Sequence, residues 1–232
     1  MDAAVLDKCQ DLVQYRFSDL QLLAQALTHA STVGDRLQSN ERLEFLGDAV
    51  LGLVVCNALY DAYPDLLEGE MTKIKSLVVS REVCALIAEE SGLAELLFLG
   101  KGMSTGDSLP QSVSGAAFEA VIGAVYCDGG LEPARQYVLR MVHPKIVEAV
   151  EDEHKRNYKS MLQQVAQRRW GTTPAYELLD EKGPDHSKCF EIAVVINSKH
   201  YPSAWGTNKK QAEQGAAKHA LVAMGLIDDD DE

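Results

Sequence analysis

The sequence lacks several features that would place it in whole classes of protein. It contains no uninterrupted run of about 18 apolar residues, so no membrane-spanning helix is expected. Its first residues do not join a cationic start to an apolar core, so no signal peptide is predicted. The glycine-rich stretch 100–106 does not have the spacing Gly-x4-Gly-Lys-Ser/Thr of a nucleotide-binding P-loop, which argues against an ATPase.

Cysteine usage is also sparse and irregular. The chain has five cysteines, an odd number, and they lie far apart with no Cys-x-x-Cys pair. This pattern fits reduced thiols in a cytoplasmic protein, and it argues against a disulfide framework or a zinc site. A cytoplasmic location is therefore the expectation.

An overall excess of positive charge is missing, because the net charge of the chain is −13. The charge is unevenly placed, however. Residues 1–156 hold 13 Lys+Arg against 24 Asp+Glu, a net −11, whereas residues 157–226 hold 9 against 6, a net +3. Residues 227–232 add five acids. By total charge nucleic-acid binding looks improbable, but by segment the second part of the chain is mildly basic.

Apolar periodicity predicts two domains joined by a polar segment. Residues 1–150 read as an all-α domain, and residues 157–226 as a small α+β domain of order α-β-β-β-α. The run 151–156 is the predicted linker, and 227–232 is predicted to be a disordered acidic tail. The predicted helices are 3–15, 19–29, 40–63, 70–91, 113–127, 131–150, 158–170 and 208–225, and the predicted strands are 175–182, 189–197 and 199–206.

Three acidic residues interrupt the most apolar helical pattern. Glu41, Glu44 and Asp48 are spaced by three and four residues, which places them on one stripe of a helix. A helix this apolar on its other sides is normally buried, and carboxylates are rarely buried unless they are paired or bound to a metal ion. The helix therefore either holds an ion or keeps one edge open to a charged partner.

A second helix offers a matching carboxylate. Glu119 is the lone acid in the small-residue segment 114–126, and small residues let two helices approach closely. One helix cannot complete a magnesium site, because hard divalent ions need several oxygen ligands. We therefore expect Glu119 to meet Glu44 and Asp48.

At this point the residues resemble a known family. The segment Asn-Glu-Arg-Leu-Glu-Phe-Leu-Gly-Asp-Ala-Val-Leu-Gly (40–52) closely resembles the signature of bacterial ribonuclease III, an endonuclease of double-stranded RNA. The segment 157–226 resembles a double-stranded-RNA-binding domain. Further matches fall in family order at Ala-Leu-Thr-His-Ala-Ser (26–31), Glu-Gly-Glu-Met-Thr-Lys (68–73), Leu-Gly-Lys-Gly (99–102), Phe-Glu-Ala-Val-Ile-Gly-Ala-Val-Tyr (118–126) and Asp-Gly-Gly (128–130).

The resemblance implies a role for each carboxylate. Glu44 and Glu119 are implied to be metal ligands, Asp48 a ligand or an activator of the attacking water, and Glu41 an accessory catalytic carboxylate. The implied reaction is Mg²⁺-dependent hydrolysis of duplex RNA to 5′-phosphate products with short 3′ overhangs, with Mn²⁺ as a substitute ion. Maturation of ribosomal RNA and processing of messenger RNA are the implied cellular roles.

One position departs from the family pattern. The family places a ligand aspartate three residues before the second glutamate, and here that position is Ala116. Loss of a group beside a metal ligand costs roughly 10–100-fold in metal affinity or activity, although a water can fill a magnesium ligand position. The chain is therefore an enzyme with an altered metal shell, a version inactivated by substitution, or a natural relative that only binds RNA.

Double-stranded RNA is recognised through its phosphates and 2′-hydroxyls, because its major groove is too narrow for side chains. Gln163 and Gln164 on the first helix of the second domain are predicted to contact one minor groove. His186, in the loop 183–187, is predicted to contact a second minor groove. Lys209 and Lys210 open the last helix, where phosphates are favoured, and Lys218 is a weaker phosphate candidate.

A two-fold homodimer is expected, because cutting both strands requires two sites that face opposite ways. The apolar excess of residues 40–63, including Phe45, indicates more apolar surface than one small helical domain can cover. Two alternatives to an enzymatic function are also consistent with the sequence. One is an RNA-binding homodimer with an inert nuclease domain, and the other is a purely structural helical dimer without RNA affinity.

Overall fold

The computed structural model describes residues 2–100, 103, 109–184 and 188–228, and for residues 153–156 it describes the backbone alone. The chain forms two compact units, residues 1–150 and 151–232, which are described one at a time. The helices that begin in the first unit are α1 (Ala3–Val13), α2 (Leu20–Ala26), α3 (Glu41–Ala62), α4 (Glu68–Val78), α5 (Arg81–Glu90), α6 (Gln111–Gly129) and α7 (Leu131–Arg156).

The helical pattern 70–91 is two helices rather than the one predicted. The chain leaves helix α4 at Val79, and Ser80 caps the start of helix α5 by accepting a hydrogen bond from the amide of Val83. A serine side chain competes for backbone amides in this way and favours a helix start over a helix interior. The break turns helix α5 onto helix α6, against which it packs.

Helices α3 and α6 cross with their backbones in contact. A Cβ built on Gly47 would lie 1.8 Å from the carbonyl oxygen of Glu119, and one built on Gly123 would lie 2.2 Å from the carbonyl oxygen of Leu43. No side chain fits in either place, so both glycines are needed for this approach. Helix α6 is the buried centre of the unit, with Phe118, Val121 and Ile122 fully enclosed.

Helix α3 is long and apolar enough to span a membrane by length and composition, with 22 residues and a mean hydropathy of 1.5. This qualifies the sequence-based expectation, which counted only uninterrupted apolar residues. A core helix passes the same test, so one such helix is weak evidence for a membrane span. Only 39% of its most apolar window is buried within the chain, and Phe45 and Tyr60 are 82% and 74% exposed.

The predicted linker is helical, because helix α7 continues through residues 151–156 to Arg156. This segment contains glutamate, lysine and arginine, which favour helices, and it has neither proline nor glycine to end one. Asn157 then caps the next helix by accepting a hydrogen bond from the amide of Ser160. The first compact unit ends at Val150, just before this polar segment, whose composition did not indicate its backbone conformation.

The second unit has the predicted order, with helix α8 (Tyr158–Trp170), a sheet, and helix α9 (Lys209–Ala223). The strands are β1 (Ala175–Lys182), β2 (Cys189–Ile196), β3 (Lys199–His200) and β4 (Ala204–Gly206), all antiparallel to their neighbours. The predicted strand 199–206 is therefore two short strands, both paired with β2 and separated at 201–203. Pro202 lies in that gap and has no amide hydrogen to donate to a strand ladder.

The core of the second unit lies between one face of the sheet and the two helices. Ile192, Val194 and Ile196 of strand β2 are buried as the alternating pattern predicted, and they pack with Leu162 of helix α8 and Leu221 of helix α9. The acidic tail was predicted to be disordered, and its residues 229–232 lie outside the described part of the chain.

Candidate active site

The contact between helices α3 and α6 brings the predicted metal ligands together. Glu44 and Asp48 stand one turn apart on helix α3, on either side of Gly47, which touches the backbone of Glu119 on helix α6. Glu44 and Glu119 are half-buried, and Asp48 is exposed. The three carboxylates therefore share one cleft with an open edge.

The neighbouring carboxylates affect the pKa of Glu119. The pKa of Glu119 is raised to about 7, chiefly by burial and also by the nearby charges of Asp48 and Glu44. Burial also raises the pKa of Glu44, and Glu41 and Asp48 add to that rise. Desolvated like charges are costly, and a bound cation is the usual way in which such a cost is offset.

Glu41 lies at the edge of this cluster and already has a cationic partner. Its carboxylate accepts hydrogen bonds from the guanidinium of Arg36, one of them from Nε at 2.9 Å, and from the hydroxyl of Ser39 at 3.3 Å. The pairing with Arg36 lowers the pKa of Glu41. The predicted accessory carboxylate is therefore an exposed ion pair at the first turn of helix α3, close enough to act on Glu44 through its charge.

Helix α5 contributes two residues that the sequence analysis missed. The thiol of Cys84 lies 3.9 Å from Oε1 of Glu119, and burial together with that carboxylate raises the pKa of the thiol to about 12. The charge of Arg81 lowers the pKa of both Glu44 and Glu119. The signal that could have revealed them is Ser80, a helix-capping residue type placed within the pattern 70–91.

Ala116 stands on helix α6 one turn before Glu119 and is half-buried. Its neighbour Gly115 is in close contact with helix α5, because a Cβ on Gly115 would lie 3.1 Å from the carbonyl oxygen of Arg81 and 3.5 Å from Cγ of that residue. The residue next to the position that lacks the family aspartate therefore packs against Arg81.

The chemistry of this cleft fits a hard divalent cation, because its free donors are carboxylate oxygens contributed by two helices. Within the part of the chain that the structure describes, however, no three acidic, histidine or cysteine side chains are grouped closely enough to hold an ion. To hold an ion, the side chains of Glu44, Asp48 and Glu119 would have to turn toward one another.

In the second unit, four of the six predicted RNA contacts are exposed. Gln163 and Gln164 are exposed on helix α8, and Lys209 and Lys210 are exposed at the start of helix α9. Asn208 caps this helix start by accepting a hydrogen bond from the amide of Gln211. A helix start of this kind presents free backbone amides and a positive dipole end to phosphate.

The other two predicted contacts differ. Lys218 is half-buried, with its ammonium group 5.9 Å from the ring centre of Tyr158, and His186 lies outside the described residues. Lys182 pairs with Cys189 at one end of the sheet, and Phe190 pairs with Gly206 at the same end, just before helix α9. The end of strand β1, the start of strand β2 and the start of helix α9 therefore lie at the same end of the sheet.

Comparison with known proteins gives matches along both units. Residues 19–146 match the ribonuclease-III-like family, and residues 158–223 match the double-stranded RNA binding motif. The chain is 47% identical over 221 residues to a Ribonuclease 3 from Rhodopirellula baltica, covering 95% of this chain and 83% of that protein. It is 41% identical over 229 residues to a Ribonuclease 3 from Symbiobacterium thermophilum, covering 96% and 97%.

A solved structure supports the fold of the first unit. The nuclease domain of ribonuclease III from Campylobacter jejuni matches with a TM-score of 0.56 and 34% identity, covering 60% of this chain and 97% of that domain. The region of that domain involved in dimer formation is described as structurally flexible. Because the family match spans more than half of the chain and the relatives cover nearly all of it, this protein belongs to the ribonuclease III family of endoribonucleases, with an appended double-stranded-RNA-binding motif.

Proposed function

We propose that this chain is a cytoplasmic, Mg²⁺-dependent endonuclease that cuts both strands of duplex RNA in ribosomal and messenger RNA processing. Its products would carry 5′-phosphates and short 3′ overhangs, and Mn²⁺ would substitute for Mg²⁺. The single observation that carries the proposal is the convergence of Glu44 and Asp48 of helix α3 with Glu119 of helix α6.

Each residue of the cleft then has a task. Glu44 and Glu119 hold the cation, and Asp48, which is exposed, either joins them or accepts a proton from the attacking water. Glu41 acts at longer range, through its charge on Glu44. A bound divalent ion would neutralise phosphate charge, activate water and stabilise the leaving oxygen.

The second unit would supply most of the RNA affinity. Without cations the cleft carries three carboxylates and repels phosphate, whereas Lys209 and Lys210 lie at a helix start that favours phosphate. Gln163 and Gln164 would contact minor-groove hydroxyls, and His186 a second groove. Lys218 is a weaker candidate for a phosphate contact, because it is half-buried beside Tyr158.

A homodimer through the nuclease unit is supported by the surface of helix α3. Phe45, Leu53 and Tyr60 expose apolar side chains on this helix, and a pocket lined by Cys56, Tyr60 and Met71 opens beside it. One surface therefore offers both a protruding ring and a depression, as a self-complementary two-fold contact requires. Two cleavage sites would result, one for each strand.

Ala116 is the one observation that favours a different function, a homodimer that binds duplex RNA without cutting it. Incubation of the full chain with end-labelled duplex RNA, in Mg²⁺ or in EDTA, separates the two. Fragments in Mg²⁺ alone, with ends that a 5′-phosphate-dependent exonuclease degrades, are the expected result. A retarded but intact duplex in both conditions would establish the binding-only function.

Variants make this test specific to the cleft. Asp48→Asn should abolish most cleavage while leaving RNA affinity in EDTA unchanged, because Asp48 is exposed and its loss removes no packing. Asp61→Asn removes the same charge from an exposed position near the end of the same helix and should cleave like the unmodified chain. Equal loss of cleavage in both variants would show that the effect comes from charge in general.

A further inference from the structure

The start of helix α5 places a cation beside the carboxylate cleft. Arg81 is the first residue of this helix, and its backbone and Cγ lie against Gly115, the neighbour of Ala116. Its side chain is exposed, and its charge acts on both Glu44 and Glu119. Arg81 therefore lies on the helix that packs against this part of helix α6, close enough to the cleft for its charge to act on two of the carboxylates.

Helix stability does not explain an arginine at this position. The first turn of a helix is the positive end of its dipole, where acidic side chains are favoured and cations are disfavoured. Within the described ranges, the Arg81 side chain has no hydrogen bond or ion pair that would offset this cost, unlike Arg36, which pairs with Glu41. The charges of Glu44 and Glu119 attract Arg81 without a hydrogen bond or ion pair among the described residues, so its exposed guanidinium is available to an anionic ligand.

We propose that Arg81 binds a backbone phosphate of the duplex at the cleavage site, a contact made possible by the uncharged Ala116. This inference rests on the proposed nuclease function. A guanidinium forms two parallel hydrogen bonds with phosphate oxygens, whereas a carboxylate at position 116 would pair with Arg81 and withhold it from RNA. In this chain an arginine–phosphate contact thus partly replaces substrate binding that would otherwise come through the metal.

Four variants of the full chain test this contact: Arg81→Gln, Arg81→Lys, Ala116→Asp and the double variant Arg81→Gln/Ala116→Asp. Arg16→Gln is the matched control, since Arg16 is an exposed arginine paired with Asp11 and lies outside the cleft. Affinity for a duplex RNA is measured in EDTA across a salt series by fluorescence anisotropy. Mn²⁺ binding without RNA is measured by electron paramagnetic resonance, and cleavage is followed in single turnover.

Loss of one phosphate contact has a defined signature. Arg81→Gln should weaken RNA binding about 3–10-fold and reduce the salt slope by about one, without weakening Mn²⁺ binding. It should slow cleavage about tenfold or more. Arg81→Lys should recover the salt slope but not the full cleavage rate, because a lysine offers a point charge rather than a two-pronged donor.

The double variant tests the link to Ala116. Ala116→Asp alone should reduce the salt slope as Arg81→Gln does, and Arg81→Gln should add nothing further in that background, because the two changes remove the same contact. Additive effects of the two substitutions would overturn the link between the residues.

Three results would overturn the proposal itself. A salt slope for Arg81→Gln equal to that of Arg16→Gln would make Arg81 a solvated surface charge. Faster cleavage by Arg81→Gln at low Mg²⁺ would mean that the arginine obstructs the metal, and weaker Mn²⁺ binding would mean that it only positions the carboxylates. If the unmodified chain cut no RNA, the proposed nuclease function would fail while the salt series still decided the role of Arg81.

Discussion

Gly47 and Glu119 face each other where helices α3 and α6 cross, and a Cβ on Gly47 would lie 1.8 Å from the carbonyl oxygen of Glu119. The same contact holds the core of the unit together and sets the spacing of the carboxylates. Packing and chemistry therefore depend on the absence of a single methyl group.

Gly47→Ala should destabilise the first unit by about 3 kcal/mol, because the added methyl group meets backbone that cannot move aside without separating the helices. Urea unfolding followed by far-UV circular dichroism measures the change. Gly52→Ala is the control on the same helix, since its Cβ would lie 3.7 Å from the flexible Lys75 side chain. That change should stabilise the helix by about 0.5–1 kcal/mol. Equal effects of the two substitutions would show that the close approach carries no energetic weight.

The raised pKa of Glu119 predicts a stability that depends on pH. Its pKa is about 7 in the folded chain and about 4.5 when exposed, so the unfolded state ionises first as the pH rises. In EDTA the first unit should therefore lose about 2 kcal/mol between pH 4.5 and pH 7, a figure reduced for solvent screening, with no further loss from this group above that range.

Glu119→Gln should remove this loss and make the first unit more stable than the unmodified chain at pH 8. Mg²⁺ should restore stability at pH 8 to the unmodified chain but not to the variant. Glu82→Gln, an exposed glutamate on helix α5, serves as the control. Both tryptophans, Trp170 and Trp205, lie in the second unit, so tryptophan fluorescence records that unit as an internal reference. A pH profile unchanged in Glu119→Gln would contradict the assignment.

Lys210→Gln should weaken duplex RNA binding and lower the salt slope by about one, since Lys210 is proposed to contact a phosphate at the start of helix α9. Lys199→Gln is the matched control, because Lys199 pairs with Ile196 at the end of the sheet opposite to the Phe190–Gly206 pair. Anisotropy titrations over a salt series give both slopes. An equal drop in the two variants would indicate general charge attraction rather than a contact at the helix start.

Phe45→Asp should convert the chain to a monomer at micromolar concentration, because it places a charge at the most exposed apolar side chain of helix α3. Sedimentation velocity measures the change. Leu131→Asp alters an exposed apolar residue at the start of helix α7, where an acidic side chain favours the helix, and it should leave the assembly unchanged. A Phe45→Asp chain that sediments like the unmodified protein would exclude this surface as the interface.

Periodicity and charge in the sequence predicted most of the helices and the approach of helix α6 at Glu119 to the acidic stripe of helix α3, although within the described residues the three carboxylates are not close enough together to hold an ion. These features are local or follow from one stripe on each helix. The break at Val79–Ser80 was missed, because apolar spacing runs through it without a phase change and only the capping serine marks it. The contact of Arg81 with Gly115, the neighbour of Ala116, depends on how helix α5 packs on helix α6, and no spacing along the chain contains that information.

The sheet shows a similar limit. Burial of Ile192, Val194 and Ile196 in strand β2 was predicted, because burial on one face leaves a period of two in the sequence, but Phe190 is only partly buried and Ala193 is buried as well. The division of the predicted strand 199–206 was missed, although Pro202 was visible as a residue that cannot complete a ladder.

The buried thiol of Cys84 reports local opening of the first unit through its rate of chemical modification. Cys56 and Cys127 are exposed and will react at once with a thiol reagent. Cys84 is buried on helix α5, with its thiol 3.9 Å from Oε1 of Glu119. The rate at which Cys84 is modified therefore measures how often helix α5 separates from helix α6. Ligands that hold these two helices together will slow the modification of Cys84, whether or not any RNA strand is cut.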